Sequence, residues 1–383
     1  MKITDFRTLR RSGLVVSPLA LGTMTFGTPR WGSGDDVSEA VFNAYVDAGS
    51  NFVDTADVYS GGQSEEMLGR YIAGRHLRDQ VVLATKFSFG GQAGNPNLGG
   101  NGRKNIHRAL EGSLRRLKTD YADLYWLHAY DGVTPVEETL QTLGDLVRAG
   151  RIRYFAFSNV PAWYATKAAT LAPAHGVPDP IALQMEYSLV ARSIEREHVP
   201  AALNLGLGIT PWNPLAAGFL ARKYEREGAG ASGEGRLTGP NSFGNMKFTD
   251  HNWQVLEALR PVAADLGRPL AQVALAWRPS RASPRSLWGP ARWRSCTTAW
   301  HRPRSSAQPR AAEDLGRCQH SRPVSGPDLA HAEARRIWRR QRAGLAVAAF
   351  CVAEAGFCVG PSAWAGRTFE VSKPHQNQPP NDN

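Results

Sequence analysis

Short apolar runs alternate with longer segments of helical periodicity along most of this chain. The strand-like runs lie at residues 14–16, 19–21, 51–53, 81–84, 124–127, 154–157, 181–183 and 208–210. Between them, apolar residues recur at helical spacing, as at Ile106, Leu110, Leu114 and Leu117. Alternating strands and helices favour a parallel sheet with right-handed crossovers. We therefore predict an α/β fold of the (β/α)8 or TIM-barrel type, which needs eight strands, whereas only seven strands alternate with helices here.

The alternation ends near Arg278. Residues 278–285 show neither apolar period, and no eighth strand or last helices can be recognised behind them, so we expect these elements to be missing or degraded. The sequence thus predicts a barrel over residues 1–277 and a basic, low-periodicity tail over 278–383. Sixteen of the seventeen basic residues of the tail are Arg. We hypothesise a frameshift near residue 278; the alternative is a partly disordered tail with a partner of its own.

The distribution of charge and cysteine narrows the class of protein. The net charge of +11 divides into +1 for residues 1–277 and +10 for 278–383, so we expect no nucleic-acid partner for the barrel. All four Cys lie in the tail, at spacings that match no zinc pattern, and we expect no metal site. Residues 343–360 are apolar but contain Glu354, and no signal peptide is recognisable. We expect a cytoplasmic protein without a membrane partner.

Four residues that could move a proton lie at or just past the ends of strand-like runs: Asp54, Tyr59, Lys86 and His128. In a barrel these ends share one rim. Reducing a carbonyl needs a hydride at carbon and a proton at oxygen. An ammonium such as Lys86 would lower the pKa of a tyrosine and make it a better donor. A carboxylate would hold the ammonium, and a neutral imidazole would position the substrate oxygen, so the pattern indicates a reductase.

These residues also carry a resemblance to a known family. Asp54-Thr55-Ala56-Asp57-Val58-Tyr59, Ala84-Thr85-Lys86 and Leu127-His128 resemble the signature of the aldo-keto reductases, and Ser158-Asn159, Gln184 and Pro211-Trp212-Asn213-Pro214-Leu215 match further family positions in order. The resemblance covers about residues 6–277. It implies a barrel that binds NADPH or NADP without a Rossmann domain and that uses no metal.

The resemblance further implies reversible, NADPH-dependent reduction of a small aldehyde or ketone to an alcohol. Tyr59 would be the general acid, tuned by Lys86 and Asp54, with His128 orienting the carbonyl. Ser158, Asn159 and Gln184 would hold the nicotinamide carboxamide, and Trp212 would stack on its ring. Asn213, Leu215 and Gly218 would approach the pyrophosphate.

The sequence departs from the family pattern in several places. Ala156 and Ala217 stand where the family usually has Gly, and we expect them to crowd the cofactor slightly. The segment that grips the adenosine 2′-phosphate belongs after Trp277 and is not recognisable. Two alternatives therefore stay open: a cofactor-binding module similar to channel-associated β-subunits with little turnover, and a truncated, non-functional reductase. Asp57 is expected to face solvent or pair locally, and the glycine-rich segment 228–233 to form a flexible loop.

Overall fold

The computed structural model describes residues 3–28, 32–90, 94–228, 230–238 and 246–277, together with the backbone of residues 349–352. The predicted tail, 278–383, lies outside the described residues apart from those four, and its disorder or frameshift stays a hypothesis. Within the described residues, no helix is both long and apolar enough to cross a membrane. The cytoplasmic location remains a prediction.

Strands and helices alternate as the apolar pattern predicted. The described strands of the main sheet are β3 (Leu19–Gly22), β4 (Phe52–Asp54), β5 (Val82–Phe87), β6 (Ala122–Leu127), β7 (Ile152–Ser158), β8 (Ala182–Glu186) and β9 (Gly208–Trp212). The helices are α1 (Asp35–Asp47), α2 (Gln63–Gly74), α3 (Arg103–Leu117), α4 (Val136–Arg148), α5 (Ala162–Ala174), α6 (His198–Leu205), α7 (Asp250–Leu266) and α8 (Leu270–Ala276). Each of these strands pairs in parallel with the next along the chain, which confirms the predicted fold class.

The eighth position of the sheet is occupied by a strand from the tail, β12 (Ala349–Val352). Its backbone runs parallel to β3, with Ala349 opposite Leu19 and Val352 opposite Gly22. Seven strands of the regular repeat are described, which confirms the expected partial barrel, and the tail adds β12 beside β3. Residues 349–352 are apolar in sequence and suit a strand buried in a parallel sheet. A regular repeat would place that strand directly after α8, whereas β12 comes much later along the chain.

Two small antiparallel hairpins accompany the barrel. The first pairs β1 (Arg7–Thr8) with β2 (Val15–Val16), and the second pairs β10 (Glu225–Glu227) with β11 (Gly230–Ser232). The second hairpin includes part of the glycine-rich segment 228–233. Gly230–Ser232 of this segment pairs with the backbone of Glu225–Glu227. The segment expected to be a flexible loop is therefore partly a β-strand.

The interior of the barrel is a packed apolar core. On β6, Leu124 and Trp126 point into the barrel, whereas Tyr125 and Leu127 pack under the helices, as the two-residue period of a strand requires. Ala156 of β7 lies opposite Trp126 in the same inner cluster and is fully buried. Leu9, Leu14 and Val16 from the first hairpin join this cluster and close one end of the barrel. The open end is the one at which the strands finish.

Candidate active site

The four predicted proton-handling residues lie on neighbouring parts of one rim. Asp54 is the last residue of β4, Lys86 belongs to β5, and His128 directly follows β6. Tyr59 begins a short helical turn after β4. Because β4, β5 and β6 are adjacent and parallel, their carboxyl ends bring these side chains together. We call this set, Asp54, Tyr59, Lys86 and His128, the charged rim.

Lys86 is the centre of the charged rim. Its Nζ donates hydrogen bonds to the Asp54 carboxylate, to the Thr55 carbonyl at 2.7 Å and to the Tyr59 hydroxyl at 3.0 Å. The side chains of Lys86 and Asp54 have no exposed surface. Burial alone would lower the pKa of Lys86, but the charges and hydrogen bonds of Asp54 and Tyr59 together raise it above its usual value. The ammonium therefore stays charged inside the barrel mouth.

Asp54 connects Lys86 to a strand on the far side of the sheet. Its Oδ1 accepts a hydrogen bond from Gln184 Nε2 of β8 at 3.2 Å, while its other oxygen faces Lys86. Burial raises the pKa of Asp54, and the Lys86 charge opposes that rise. Gln184, predicted as a cofactor residue, thus also contacts the charged rim.

Tyr59 is held as a neutral phenol. Its hydroxyl accepts from Lys86, whose Nζ lies 4.7 Å from the centre of the tyrosine ring. Burial raises the pKa of Tyr59 above its usual value, and Lys86 acts in the opposite direction without outweighing it. The lowering of the Tyr59 pKa by Lys86 that the sequence predicted is present, but the net shift is upward. The reason is burial, which a sequence pattern does not quantify.

His128 completes the charged rim through ring contacts. Its imidazole meets the Tyr59 ring edge to face at 5.8 Å and the Phe89 ring at 4.8 Å between centroids. Burial and then the Lys86 charge hold the pKa of His128 well below its usual value, so the ring is neutral near pH 7. Its Nδ1 is buried and finds no hydrogen-bond partner within the described part of the chain. Phe89, which is 45% exposed, was not singled out from the sequence.

A second set of predicted residues occupies the ends of β7, β8 and β9. We call Ser158, Asn159, Gln184 and Trp212 the amide rim. Asn159 Nδ2 donates to Ser158 Oγ and to the His128 carbonyl, both at 3.0 Å, and Asn159 Oδ1 accepts from Trp212 Nε1 at 3.0 Å. Asn159 has a left-handed φ of 50°, a conformation that asparagine tolerates better than most residues. One side chain therefore ties β6, β7 and β9 together.

The remaining predicted residues, Asn213, Leu215 and Gly218, form a turn after β9. Asn213 Nδ2 donates to Glu186 at 2.8 Å, and its Oδ1 accepts from the Ala217 amide at 2.6 Å. The Leu215 carbonyl accepts from the Gly218 amide at 3.1 Å. Ala217 has a φ of 55°, where glycine would be unstrained. Alanine in place of the family's usual glycine at position 217 therefore strains the backbone of this turn.

Several residues in contact with the site carry no recognisable sequence signal. The Glu186 carboxylate also accepts from Lys247 Nζ at 2.7 Å, which fixes the segment before α7 beside the turn after β9.

Asp57 Oδ1 is buried without a hydrogen-bond partner in the described chain, and burial, then the charge of Glu65, raise the pKa of Asp57 to about 7. Asp57 was expected to face solvent or pair locally; the residue is partly exposed and interacts with the Val58 backbone, so only its buried Oδ1 is unexpected. Among the described residues, no group of three or more His, Cys, Asp or Glu could hold a metal ion.

Comparisons with known proteins agree on one family. A family model described as the aldo/keto reductase family matches residues 18–286. A probable voltage-gated potassium channel subunit beta of Oryza sativa subsp. japonica is 39% identical over 280 residues, 71% of this chain and 83% of its own length. An aryl-alcohol dehydrogenase, NADP(+), of Phanerodontia chrysosporium is 35% identical over 280 residues, 69% and 72% of the two chains. A norsolorinic acid reductase of Aspergillus flavus is 36% identical over 238 residues, 60% of each chain.

Proposed function

Because the chain belongs to the aldo/keto reductase family, we propose that it reduces an aldehyde or ketone to the alcohol, with NADPH as cofactor and Tyr59 as proton donor. One observation carries the proposal more than any other. Lys86 joins the Asp54 carboxylate and the Tyr59 hydroxyl in a single buried group at the mouth of the barrel. A buried ion pair attached to a phenol is costly to maintain and suits proton transfer.

The charged rim can deliver a proton from Tyr59 while its other three residues support the transfer. Tyr59 is protonated at neutral pH, since burial raises a pKa that already lies well above neutrality. When Tyr59 donates its proton to the developing alkoxide, Lys86 stabilises the phenolate that remains. Asp54 keeps Lys86 charged and in place. His128, neutral at this pH, can hold the substrate oxygen by a hydrogen bond without competing for the proton.

The amide rim fits a nicotinamide carboxamide. A carboxamide presents an acceptor oxygen and two donor hydrogens, and Ser158, Asn159 and Gln184 supply a hydroxyl and two amides of matching character. Trp212 is fixed by its hydrogen bond to Asn159 and would stack on the ring. Asn213, Leu215 and Gly218 would approach the pyrophosphate. NADPH, when bound, supplies the hydride that the carbonyl carbon receives.

The names of two relatives suggest the first substrates to assay. One is called an aryl-alcohol dehydrogenase and another a norsolorinic acid reductase, at 35% and 36% identity. We therefore propose that this chain accepts aromatic carbonyl compounds, and benzaldehyde is a suitable first probe. The catalytic unit would be residues 1–277, with β12 adding the eighth strand.

A second candidate function is a cofactor-binding subunit of a larger assembly, with little turnover. It is favoured by the 39% identity with the rice protein named as a probable channel subunit. Both candidates can be separated with the purified full chain. Quenching of NADPH fluorescence reports binding, and loss of NADPH absorbance with benzaldehyde reports turnover.

Binding together with benzaldehyde-dependent NADPH oxidation would support the reductase. Binding without oxidation, across a panel of aromatic and aliphatic aldehydes, would favour the cofactor-binding subunit. If the chain is folded by circular dichroism and still binds no NADPH, both candidates are wrong. Omission of the aldehyde is the matched control for background oxidation.

A further inference from the structure

The backbone adopts an unusual conformation at Ser88, two residues after Lys86. Its φ of 122° lies in the region that favours glycine. Ser88 is only 7% exposed. A strained conformation at a buried non-glycine residue persists only when the surrounding contacts hold it, and such outliers gather at functional sites. The contacts of Ser88 must therefore hold this conformation in place.

Ser88 Oγ lies at the centre of a buried set of hydrogen bonds around the backbone of His128. It donates to Asn101 Oδ1 at 2.6 Å and accepts from the Ala129 amide at 3.4 Å and from the His128 amide at 3.1 Å, which also donates to the Phe87 carbonyl at 3.0 Å. Asn101 Nδ2 donates in turn to the Ala129 carbonyl at 2.9 Å. The Ser88 carbonyl accepts from the Gly100 amide at 2.6 Å. The loop after β5 and the loop after β6 are thus joined directly beneath the imidazole.

The imidazole of His128 depends on this support. Its buried Nδ1 has no hydrogen-bond partner in the described chain, so that atom does not set the direction of the ring. The ring is placed by its edge contacts with Tyr59 and Phe89 and by the backbone that carries it. Phe89 directly follows Ser88. A change at Ser88 would therefore move both the backbone of His128 and the ring that packs against it.

We propose that Ser88, together with Asn101, is a positioning residue that fixes His128 at the mouth of the barrel. The serine hydroxyl bridges Asn101 and the His128 amide, and this bridge keeps the imidazole beside Lys86 and Tyr59. The inference rests on the proposed function, in which His128 orients the substrate carbonyl. It goes beyond that function because it assigns a task to two residues outside the charged rim.

A purely structural role for Ser88 is the competing explanation. Asn101 also receives Thr139 Oγ1 of α4 on its carbonyl at 3.3 Å, and its amide donates to Asp131 at 2.7 Å. These contacts could serve only to close the loop before α3. A structural role predicts lower stability with an unchanged His128, whereas a positioning role predicts a changed His128 ionisation and a lower kcat.

The test compares Ser88→Gly and Ser88→Ala with the wild-type full chain. Glycine removes the hydroxyl and relieves the positive φ, and alanine removes the hydroxyl alone. Ser113→Ala is the matched control, because the Ser113 hydroxyl is buried in α3 and has no partner in the described chain. If Ser88→Ala does not fold, Ser88→Gly still decides the question.

The first measurement follows the histidine resonances by NMR as a function of pH. His128 is identified as the signal that His128→Asn removes. In the wild type its pKa is held well below the usual value by burial and by Lys86, which faces the ring together with Tyr59. In Ser88→Gly we expect the imidazole to move away from Lys86 and become more exposed to solvent, so that its pKa rises toward its ordinary value. An unchanged titration in Ser88→Gly would overturn the proposal.

The second measurement separates kcat from KM. We expect kcat with benzaldehyde to fall roughly 10- to 100-fold in Ser88→Gly, because small displacements of a reacting geometry have effects of that size. The KM for NADPH should change much less than kcat, since the amide rim meets the displaced backbone only where Asn159 donates to the His128 carbonyl. A lower melting temperature with wild-type kcat and a wild-type His128 titration would leave Ser88 a structural role only. If the wild type shows no turnover, the proposed function fails, and the NMR titration still tests the positioning of His128.

Discussion

The charged rim and the amide rim share one barrel mouth but are built from different chemistry. Lys86 and Asp54 form an ion pair without exposed surface, and Lys86 also binds Tyr59. In the amide rim, the neutral groups of Ser158, Asn159 and Trp212 bind one another, and Asn159 is exposed to solvent. The charged rim is therefore organised before any ligand arrives, whereas Asn159 must exchange its present partners to take up a carboxamide. Substitutions in the charged rim should lower both activity and stability, and substitutions in the amide rim should weaken cofactor binding.

The largest expected effect is at Lys86. Lys86→Met leaves the Asp54 carboxylate buried without its charged partner, and we expect a loss of about 3–5 kcal/mol in the free energy of unfolding. Activity should fall by about 10²- to 10⁴-fold, because the phenolate of Tyr59 loses its stabilising charge. Urea unfolding and NADPH oxidation with benzaldehyde measure the two effects.

The double variant Lys86→Met/Asp54→Asn is the control for this prediction. It removes the stranded carboxylate and should recover most of the lost stability without restoring activity. Recovery of turnover in the double variant would show that the ion pair has no part in the chemistry, and the contrast between the two rims would disappear.

The next effect concerns Asp57, next to the charged rim. Burial and Glu65 raise its pKa to about 7, well above its value in the unfolded chain. The unfolded chain thus binds fewer protons than the folded one between about pH 4 and pH 7, and stability falls as pH rises through that window. Asp57→Asn should remove this loss and raise the free energy of unfolding by about 1–3 kcal/mol at pH 8, allowing for partial exposure.

Urea unfolding of Asp57→Asn and wild type at pH 8 and near pH 4 tests the sign. The gain should be present at the higher pH and nearly absent at the lower one, where Asp57 is protonated in the folded chain. A variant that is less stable than wild type at pH 8 would mean that partners in the folded protein stabilise the ionised Asp57 carboxylate.

A smaller effect is expected in the amide rim. Asn159→Ala removes the hydrogen bonds to Ser158, His128 and Trp212, and we expect the KM for NADPH to rise roughly 10-fold, the equivalent of about 1.4 kcal/mol. The value of kcat should change much less than in Lys86→Met. Asn159→Gly, which tolerates the positive φ, separates the amide contacts from backbone strain. A kcat loss as large as that of Lys86→Met would break the distinction between the rims.

The smallest effect lies in the turn after β9. Ala217 has a φ of 55°, so Ala217→Gly should stabilise the fold by about 0.5–1 kcal/mol. The same substitution at Ala169, within α5, should destabilise it by a similar amount, because glycine is a poor helix former. Thermal melts of the two variants should therefore shift in opposite directions; shifts of the same sign would exclude strain at Ala217.

The residues of the charged rim could be predicted because the strand order of a barrel determines which side chains lie together. Each follows an apolar run, and parallel neighbours bring the ends of those runs to one edge. The order of the strands and most helix positions follow from the same periodicity. Ala349–Val352 could not be placed in this way, since the chain between α8 and β12 breaks the repeat.

Other features depend on contacts that leave no periodic signal. The positive φ of Ser88 and its hydrogen bond to Asn101 join two residues across a loop, and neither residue type marks the position in sequence. The net pKa shift of Tyr59 depends on the balance between burial and the Lys86 charge. A sequence shows which charges are present, but the depth of burial appears only once the barrel is assembled.

The most direct test asks whether Tyr59 is the proton donor of the charged rim. Single-turnover NADPH oxidation is compared in wild type and Tyr59→Phe, with saturating NADPH and benzaldehyde. Phenylalanine keeps the ring beside His128 and removes only the hydroxyl bound to Lys86. We predict a rate lower by about 10²- to 10⁴-fold with unchanged NADPH affinity; equal single-turnover rates in the two proteins would contradict a role for Tyr59 as the acid.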